Sequence, residues 1–246
     1  MCNRTMAERN SMRIGIVGAG KVGGSLGKTW VRAGHQVLFS SRHPNRLKVL
    51  IEEAGPGAHC GSVADAALFG DVILFSPNFW GVDDALEAAG ALKGKTVIDA
   101  TNPLEWNPNG RTVRSLPRST TAGEELAKKR PDAHVVKAFS TVPASFIPHV
   151  FYRPVQLQRL VVFYCGDHRL SKVAVHQLIA DSGFVGLDAG PLRLTRELEA
   201  TGRLYRAGLV GITKARRLLK EIADSVQNGP LDFCVSDQPA FAAAAS

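Results

Sequence analysis

The stretch RIGIVGAGKVGGSLGKTWVRAG, Arg13 to Gly34, decides the fold. RIGIV is a short, nearly continuous apolar run bounded by glycines, the pattern of a strand buried on both faces. The residues after it change period. Val22, Leu26, Trp30 and Val31 fall at helical spacing, and Gly34 stands where the helix must stop. Between strand and helix lies Gly18-Ala19-Gly20-Lys21-Val22-Gly23, a G-x-G-x-x-G. Alone the motif is weak. Opening a helix directly after a buried strand, it predicts a dinucleotide-binding turn. In that turn Gly18 permits the bend, Gly20 lets the backbone approach a pyrophosphate, and Gly23 lets helix and strand pack closely. The helix amino terminus offers N–H groups and positive partial charge to phosphate.

The alternation continues outward. QVLFSS, DVILFSP, TVIDATNP and HVVKAF read as further buried strands, with a short one near Ala58–Gly61 and helices near Pro44–Ala54 and from Thr121. RLVVFYCGD is another strand, HRLSKVAVHQLIADSG another helix, and FVGLDAGPL a short strand and turn. Thr195 to Val226 reads as one long amphipathic helical stretch, suited to a dimer contact or equally to covering the sheet of its own chain. Apolar strands alternating with helices predict an α/β Rossmann fold, a doubly wound parallel sheet, with a small C-terminal α/β-helical cap. Residues 12–145 are expected to form the dinucleotide-binding domain and 155–232 a smaller subdomain packed on it. The polar residues before Met12 read as an extension, and the tail AFAAAAS as frayed.

Composition narrows the function. The chain of 246 residues has a net charge of +8 and a pI near 9.6, but its basic residues are scattered and aromatics are only 7%. That distribution favours an anionic small molecule over nucleic acid. No apolar run reaches the length of a membrane span, and no secretory leader is readable. Four scattered cysteines (Cys2, Cys60, Cys165, Cys234) give neither a metal motif nor a disulfide framework, and point to reduced thiols in the cytoplasm.

The end of the second strand selects the cofactor. A carboxylate there accepts hydrogen bonds from the adenosine ribose and favours NAD. This chain has Ser40, Ser41, Arg42 and His43, with no acid before Glu52. Hydroxyls and a guanidinium suit a 2′-phosphate, so the expected cofactor is NADP(H). Ligands of such folds bind beyond the carboxyl ends of the strands, where three more loops emerge. SPNFWG places Pro77 and Asn78 near the nicotinamide end, with Phe79 and Trp80 able to stack on a planar ligand or to pack a helix. ATNPLEW brings Asn102 and Pro103. AFSTVPASF brings the hydroxyls of Ser140 and Thr141. No Ser-His-Asp set, carboxylate pair or metal cluster is visible, Lys137 reads as a strand-end structural lysine ahead of a catalytic one, and Tyr-x-x-x-Lys is absent. No general acid or base is assigned. Direct hydride transfer between two cofactors needs none, only two ring carbons held close and water excluded.

The stretches MRIGIVGAGKVGGSLGKTWVRAGHQVLFSSR, VIDATNPL, VVKAFSTVPASF and CGD…SKVAVHQLIADSGFVGLDAGPL, then LE, resemble the NADPH-dependent reductases of the 8-hydroxy-5-deazaflavin coenzyme (coenzyme F-420) over about residues 12–220. The reductase domain of the STEAP metalloreductases resembles them too. This resemblance implies reversible hydride transfer between NADPH and a flavin-like small-molecule acceptor, deazaflavin or FMN. It maps the cofactor side to Gly18, Ala19, Gly20, Lys21, Val22, Ser40, Ser41, Arg42, Pro77 and Asn78. It maps the acceptor side to Thr141, Val142, Pro143 and the turn Ala189–Leu192. Ser140 departs from the family, where Asn or His is frequent. The insertion EWNPNGRTVRSLPRST adds Arg111, Arg114 and Arg118, candidates for an anionic acceptor tail or a solvated basic loop. Two other functions fit the same residues: a non-catalytic NADP(H) sensor, and a reductase of small carbonyl or imine substrates using Thr141 or Ser140.

Overall fold

A computed structural model describes residues 11–109, 111–117, 119–152 and 160–227. The amino-terminal extension, Cys2, Arg118, Cys234 and the alanine-rich tail lie outside the described residues.

The elements follow in chain order. They are β1 (Arg13–Val17), α1 (Lys21–Arg32), β2 (Gln36–Ser40), α2 (Lys48–Ala54), β3 (Ala58–Gly61), α3 (Val63–Phe69), β4 (Val72–Phe75) and α4 (Val82–Ala89). Then come β5 (Thr96–Asp99), β6 (Leu104–Trp106), β7 (Thr112–Arg114), α5 (Ala122–Lys129), β8 (His134–Ala138) and β9 (Val161–Gly166). The chain continues with α6 (Arg169–Asp181), β10 (Val185–Gly190), α7 (Thr195–Leu198), α8 (Arg203–Ala207) and α9 (Ile212–Gln227). Among the described residues, eight strands form one sheet in the order β10-β9-β8-β5-β4-β1-β2-β3. Strand β1 sits between β2 and β4, so the order reverses there and the loops after β1 and β4 part to leave a crevice.

The strand side chains alternate between two layers. Ile14, Ile16, Leu74, Ile98 and Val136 bury against Leu26 and Trp30 of α1 and Leu178 of α6. Val17, Ile73, Phe75, Val97 and Val135 bury against α3, α4 and α5 through Ala67, Leu86 and Leu126. Trp30 ties the first layer together. It is fully buried and its indole N–H is within 2.9 Å of the Leu178 carbonyl and 2.8 Å of the Ser182 hydroxyl. Helix α3 opens on a capping box between Ser62 and Asp65.

The sheet is mostly parallel, with one reversal: β9 runs antiparallel to β8, and β10 is parallel to β9. The described part of the β8–β9 connection contains no α-helix of the kind a parallel crossover requires, so the chain returns in the opposite direction. The insertion after β5 is partly ordered as the antiparallel hairpin β6–β7. The stretch from Thr195 is not one helix but three. It leaves α7 at Glu199 in extended backbone (φ −94°, ψ 168°), because the Glu199 carboxylate turns into a buried polar cluster. Helices α7, α8 and α9 cover β9 and β10 through Leu198, Leu204, Ala215 and Ile222. Among the described residues no helix is long and apolar enough to cross a membrane.

Candidate functional site

The glycine turn has the geometry of a phosphate cradle. Gly18 holds φ at +98°, and a Cβ there would lie 2.7 Å from the Ser76 backbone, so the residue must be glycine. A Cβ on Gly23 would meet the Gly18 carbonyl at 2.2 Å, which is how closely α1 packs on the turn. Gly20 differs. It is the N-cap of α1, no side chain caps the helix there, and a Cβ on it would meet nothing within 4 Å. The open space before uncapped helix N–H groups is what a pyrophosphate fills, so these residues fit a dinucleotide. Lys21 is exposed beside the turn, while Ala19 and Val22 pack partly into the core. Ser76 closes the other wall, its hydroxyl donating to the Gly18 carbonyl at 2.8 Å. Pro77 is half-buried and Asn78 is exposed beyond it.

At the end of β2 the structure separates the two serines. Ser40, expected in the phosphate pocket, is instead buried and gives its proton to the Ile16 carbonyl at 2.6 Å, bracing β2 to β1. Ser41 accepts the His43 backbone N–H at 3.0 Å and keeps its own hydroxyl proton to donate. Arg42 is exposed and has no carboxylate partner among the described residues. A guanidinium and a hydroxyl adjacent at a strand end, with no acid engaging them, have the donor chemistry to receive an anion.

On the far side of the crevice, Asn102 acts as a clamp. Its amide N–H donates to the Ser140 carbonyl at 2.8 Å and its oxygen accepts the Ala200 N–H at 3.2 Å. The Ser140 hydroxyl is likewise engaged, donating to the Leu198 carbonyl at 2.9 Å. Thr141 is 5% exposed, and its hydroxyl makes no hydrogen bond among the described residues. The residue preceding Ser140 is strained. Phe139 has φ +63°, rare for a bulky side chain, and is held there by burial and by an edge contact with Trp30 at 6.1 Å. That turn brings Ser140 and Thr141 across the carboxyl end of β8.

Beneath these loops lies a buried ionic cluster that sequence reasoning missed. Lys137 donates to Asp99 Oδ2 at 2.8 Å and to the Thr101 carbonyl at 2.7 Å, and sits 3.0 Å from Glu199 Oε1. None of the three charged side chains is exposed. Burial alone would push the Lys137 pKa down; Asp99 and Glu199 outweigh it and hold the ammonium above its ordinary value. Glu199 also accepts the Ala122 and Gly123 N–H groups at the start of α5, and Arg114 lies 3.6 Å away. The expectation of no carboxylate pair at the strand ends is therefore corrected. Glu199 reaches the site only because the chain breaks out of α7, an event no helical period announces. Lys137 is structural, as its sequence position suggested.

The structure does not assemble the acceptor side as the resemblance implied. Because β9 opposes β8, Gly190 is level with Cys165 and so with Lys137. The Ala189–Leu192 turn then heads toward the amino ends of the parallel strands, away from Thr141. Of the hairpin arginines, Arg114 is anchored to the Thr120 and Ala200 carbonyls, whereas Arg111 is exposed. Among the described residues there is no group of three or more His, Cys, Asp or Glu able to hold a metal.

Comparison with known proteins bears on this crevice directly. Residues 13–103 match the family model described as NADP oxidoreductase coenzyme F420-dependent. The resemblance carried by the motifs is thus matched over the nucleotide-binding part of the chain. Among curated proteins, the rat (Rattus norvegicus) metalloreductase STEAP3 is 29% identical over 193 residues, 78% of this chain and 36% of that protein. Human metalloreductase STEAP2 is 24% identical over 192 residues, with the same coverage. The chain therefore spans about a third of the length of these relatives, 36% in each case. A crystal structure from Arthrobacter sp., provisionally described as an F420-dependent NADP-reductase, superposes with TM-score 0.69 at 25% identity, covering 87% of this chain and 96% of that one. The Aspergillus terreus reductive aminase in complex with NADPH and ethyl levulinate shares the fold, with TM-score 0.54 and 18% identity over 88% of this chain and 63% of that one.

Proposed function

We propose that this chain is an NADP(H)-dependent oxidoreductase that exchanges hydride between NADPH and a flavin-like acceptor, a deazaflavin or FMN. The observation that carries the reading is the pairing of an uncapped glycine turn at Gly20 with an unpartnered Arg42 and a donor hydroxyl on Ser41. The family match over residues 13–103 supports it.

When bound, NADPH supplies two electrons and one proton as hydride, and the second proton of the reduced acceptor comes from water. The chain's own residues bind and orient. The α1 amino terminus receives the pyrophosphate, and Ser41 and Arg42 receive the 2′-phosphate. Asn102, fixed between Ser140 and Ala200, holds the β5 and β8 loops at a constant separation. No side chain need move a proton at the atom that receives the hydride.

A second reading has one specific observation behind it. The Thr141 hydroxyl, nearly buried and without a hydrogen-bond partner among the described residues, suits a small carbonyl or imine substrate better than a second ring system. Following NADPH absorbance with FMN, 8-hydroxy-5-deazaflavin and a cyclic imine separates the two. The proposal expects NADPH consumption with a flavin or deazaflavin. Consumption with the imine alone would replace it by the second reading.

A further inference from the structure

Two large apolar side chains near the crevice lack the burial that tryptophan normally finds. Trp80 is 67% exposed and Trp106 is 69% exposed. Neither makes a ring–ring contact among the described residues. Trp80 sits in the Phe79–Gly81 turn after β4, and Trp106 ends β6, which follows directly from the β5 loop. Strand β6 packs against that turn, so both tryptophans belong to the carboxyl edge of β4 and β5.

The hairpin register makes the exposure of Trp106 informative. Leu104 pairs with Arg114, Glu105 with Val113, and Trp106 with Thr112. Side chains alternate, so Trp106 shares a face with Leu104 and Arg114. The base of that face is anchored, since Arg114 reaches the Thr120 and Ala200 carbonyls, while Trp106 and its partner Thr112 at the outer end are exposed. Trp106 thus keeps 69% of its exposure at the outer end of a hairpin whose base is fixed to the body of the protein. Arg111, at the tip of the same hairpin, is exposed and makes no side-chain hydrogen bond or ion pair among the described residues.

We propose that the β6–β7 hairpin and the Phe79–Gly81 turn form the acceptor subsite, where Trp80 and Trp106 stack a planar aromatic ring system and Arg111 holds its anionic tail. This rests on the oxidoreductase reading above and names the substrate class of that site. Indole faces suit an extended ring at low cost in side-chain entropy, and the net charge of +8 suits an anionic substituent. It also places the acceptor on the hairpin side of the crevice rather than at the Ala189–Leu192 turn.

The test is equilibrium binding, which needs no turnover. FMN and riboflavin are titrated by flavin fluorescence against NADP⁺-saturated protein, with NADPH affinity measured separately. Trp80→Ala and Trp106→Ala are each expected to weaken both flavins by roughly five- to tenfold. Trp106→Phe retains most of the affinity, and all three variants keep wild-type NADPH affinity. Arg111→Ala is expected to weaken FMN but not riboflavin. Wild-type flavin affinity in Trp106→Ala overturns the subsite. So does a wild-type protein that binds NADPH but neither flavin, and this outcome leaves the nucleotide site standing. A concentration-dependent dimer that Trp106→Ala abolishes and FMN does not compete with assigns the two indoles to a second copy, which also overturns it. Loss of both NADPH and flavin binding in the wild type removes the reading beneath it.

Discussion

Asp99 and Lys137 are register partners on neighbouring parallel strands, and their side chains form a 2.8 Å ion pair with neither exposed. Parallel register places them on the same face, and Glu199 closes the cluster from the C-terminal segment at 3.0 Å. With Arg114 3.6 Å from Glu199, two cations face two carboxylates, and the charges are balanced only as that set. Lys137→Ala leaves two buried carboxylates facing each other and is expected to cost about 3–5 kcal/mol. Urea unfolding measures this directly. A loss below about 1 kcal/mol, the range of an exposed pair, contradicts the buried cluster.

Gly20 separates binding from folding. Its backbone, at φ −76° and ψ −158°, accepts any residue, and the space beyond it is open. Gly20→Ala is expected to keep stability within about 1 kcal/mol of wild type while weakening NADPH by at least about tenfold. Gly18→Ala, forced into φ +98°, is expected to destabilise the fold itself. Thermal melts beside NADPH titrations distinguish the two. Unaltered NADPH affinity in a folded Gly20→Ala protein means that the turn does not hold the pyrophosphate.

Cys165 sets an alkaline limit. Burial, only partly offset by the Thr195 hydroxyl, pushes its thiol pKa from 9.0 up to about 12. A raised folded-state pKa means that the fold favours the protonated thiol. The stability this contributes is complete below pH 9.0 and is lost progressively as pH rises toward about 12. Denaturant midpoints should fall over that window, and less so in Cys165→Ala. Peptide-resolved alkylation should label exposed Cys60 quickly and Cys165 only on unfolding. Equal labelling rates would show that Cys165 is not buried.

The sequence made the strands and the glycine turn legible because both are local. RIGIV, the change of period at Lys21 and the open Gly20 are neighbours in the chain. The exposed position of Arg42 just past β2 was legible for the same reason. Ser40 was misassigned because strand alternation, which turns it inward to Ile16, competes with its position next to Ser41. Glu199 and the antiparallel β9 were not legible. Each depends on a partner far away in sequence, Lys137 for one and β8 for the other. The clamp made by Asn102 is of the same kind, since its partners Ser140 and Ala200 come from two later segments.

The most direct measurement is a paired titration of NADPH and NADH by nicotinamide fluorescence, on wild type and on Arg42→Ala. Wild type is predicted to bind NADPH more tightly than NADH. Removing the guanidinium costs about 2 kcal/mol, roughly thirtyfold, for NADPH alone and brings the two affinities together. Equal affinities in the wild type, or equal losses for both cofactors in the variant, would contradict a 2′-phosphate site at Ser41 and Arg42.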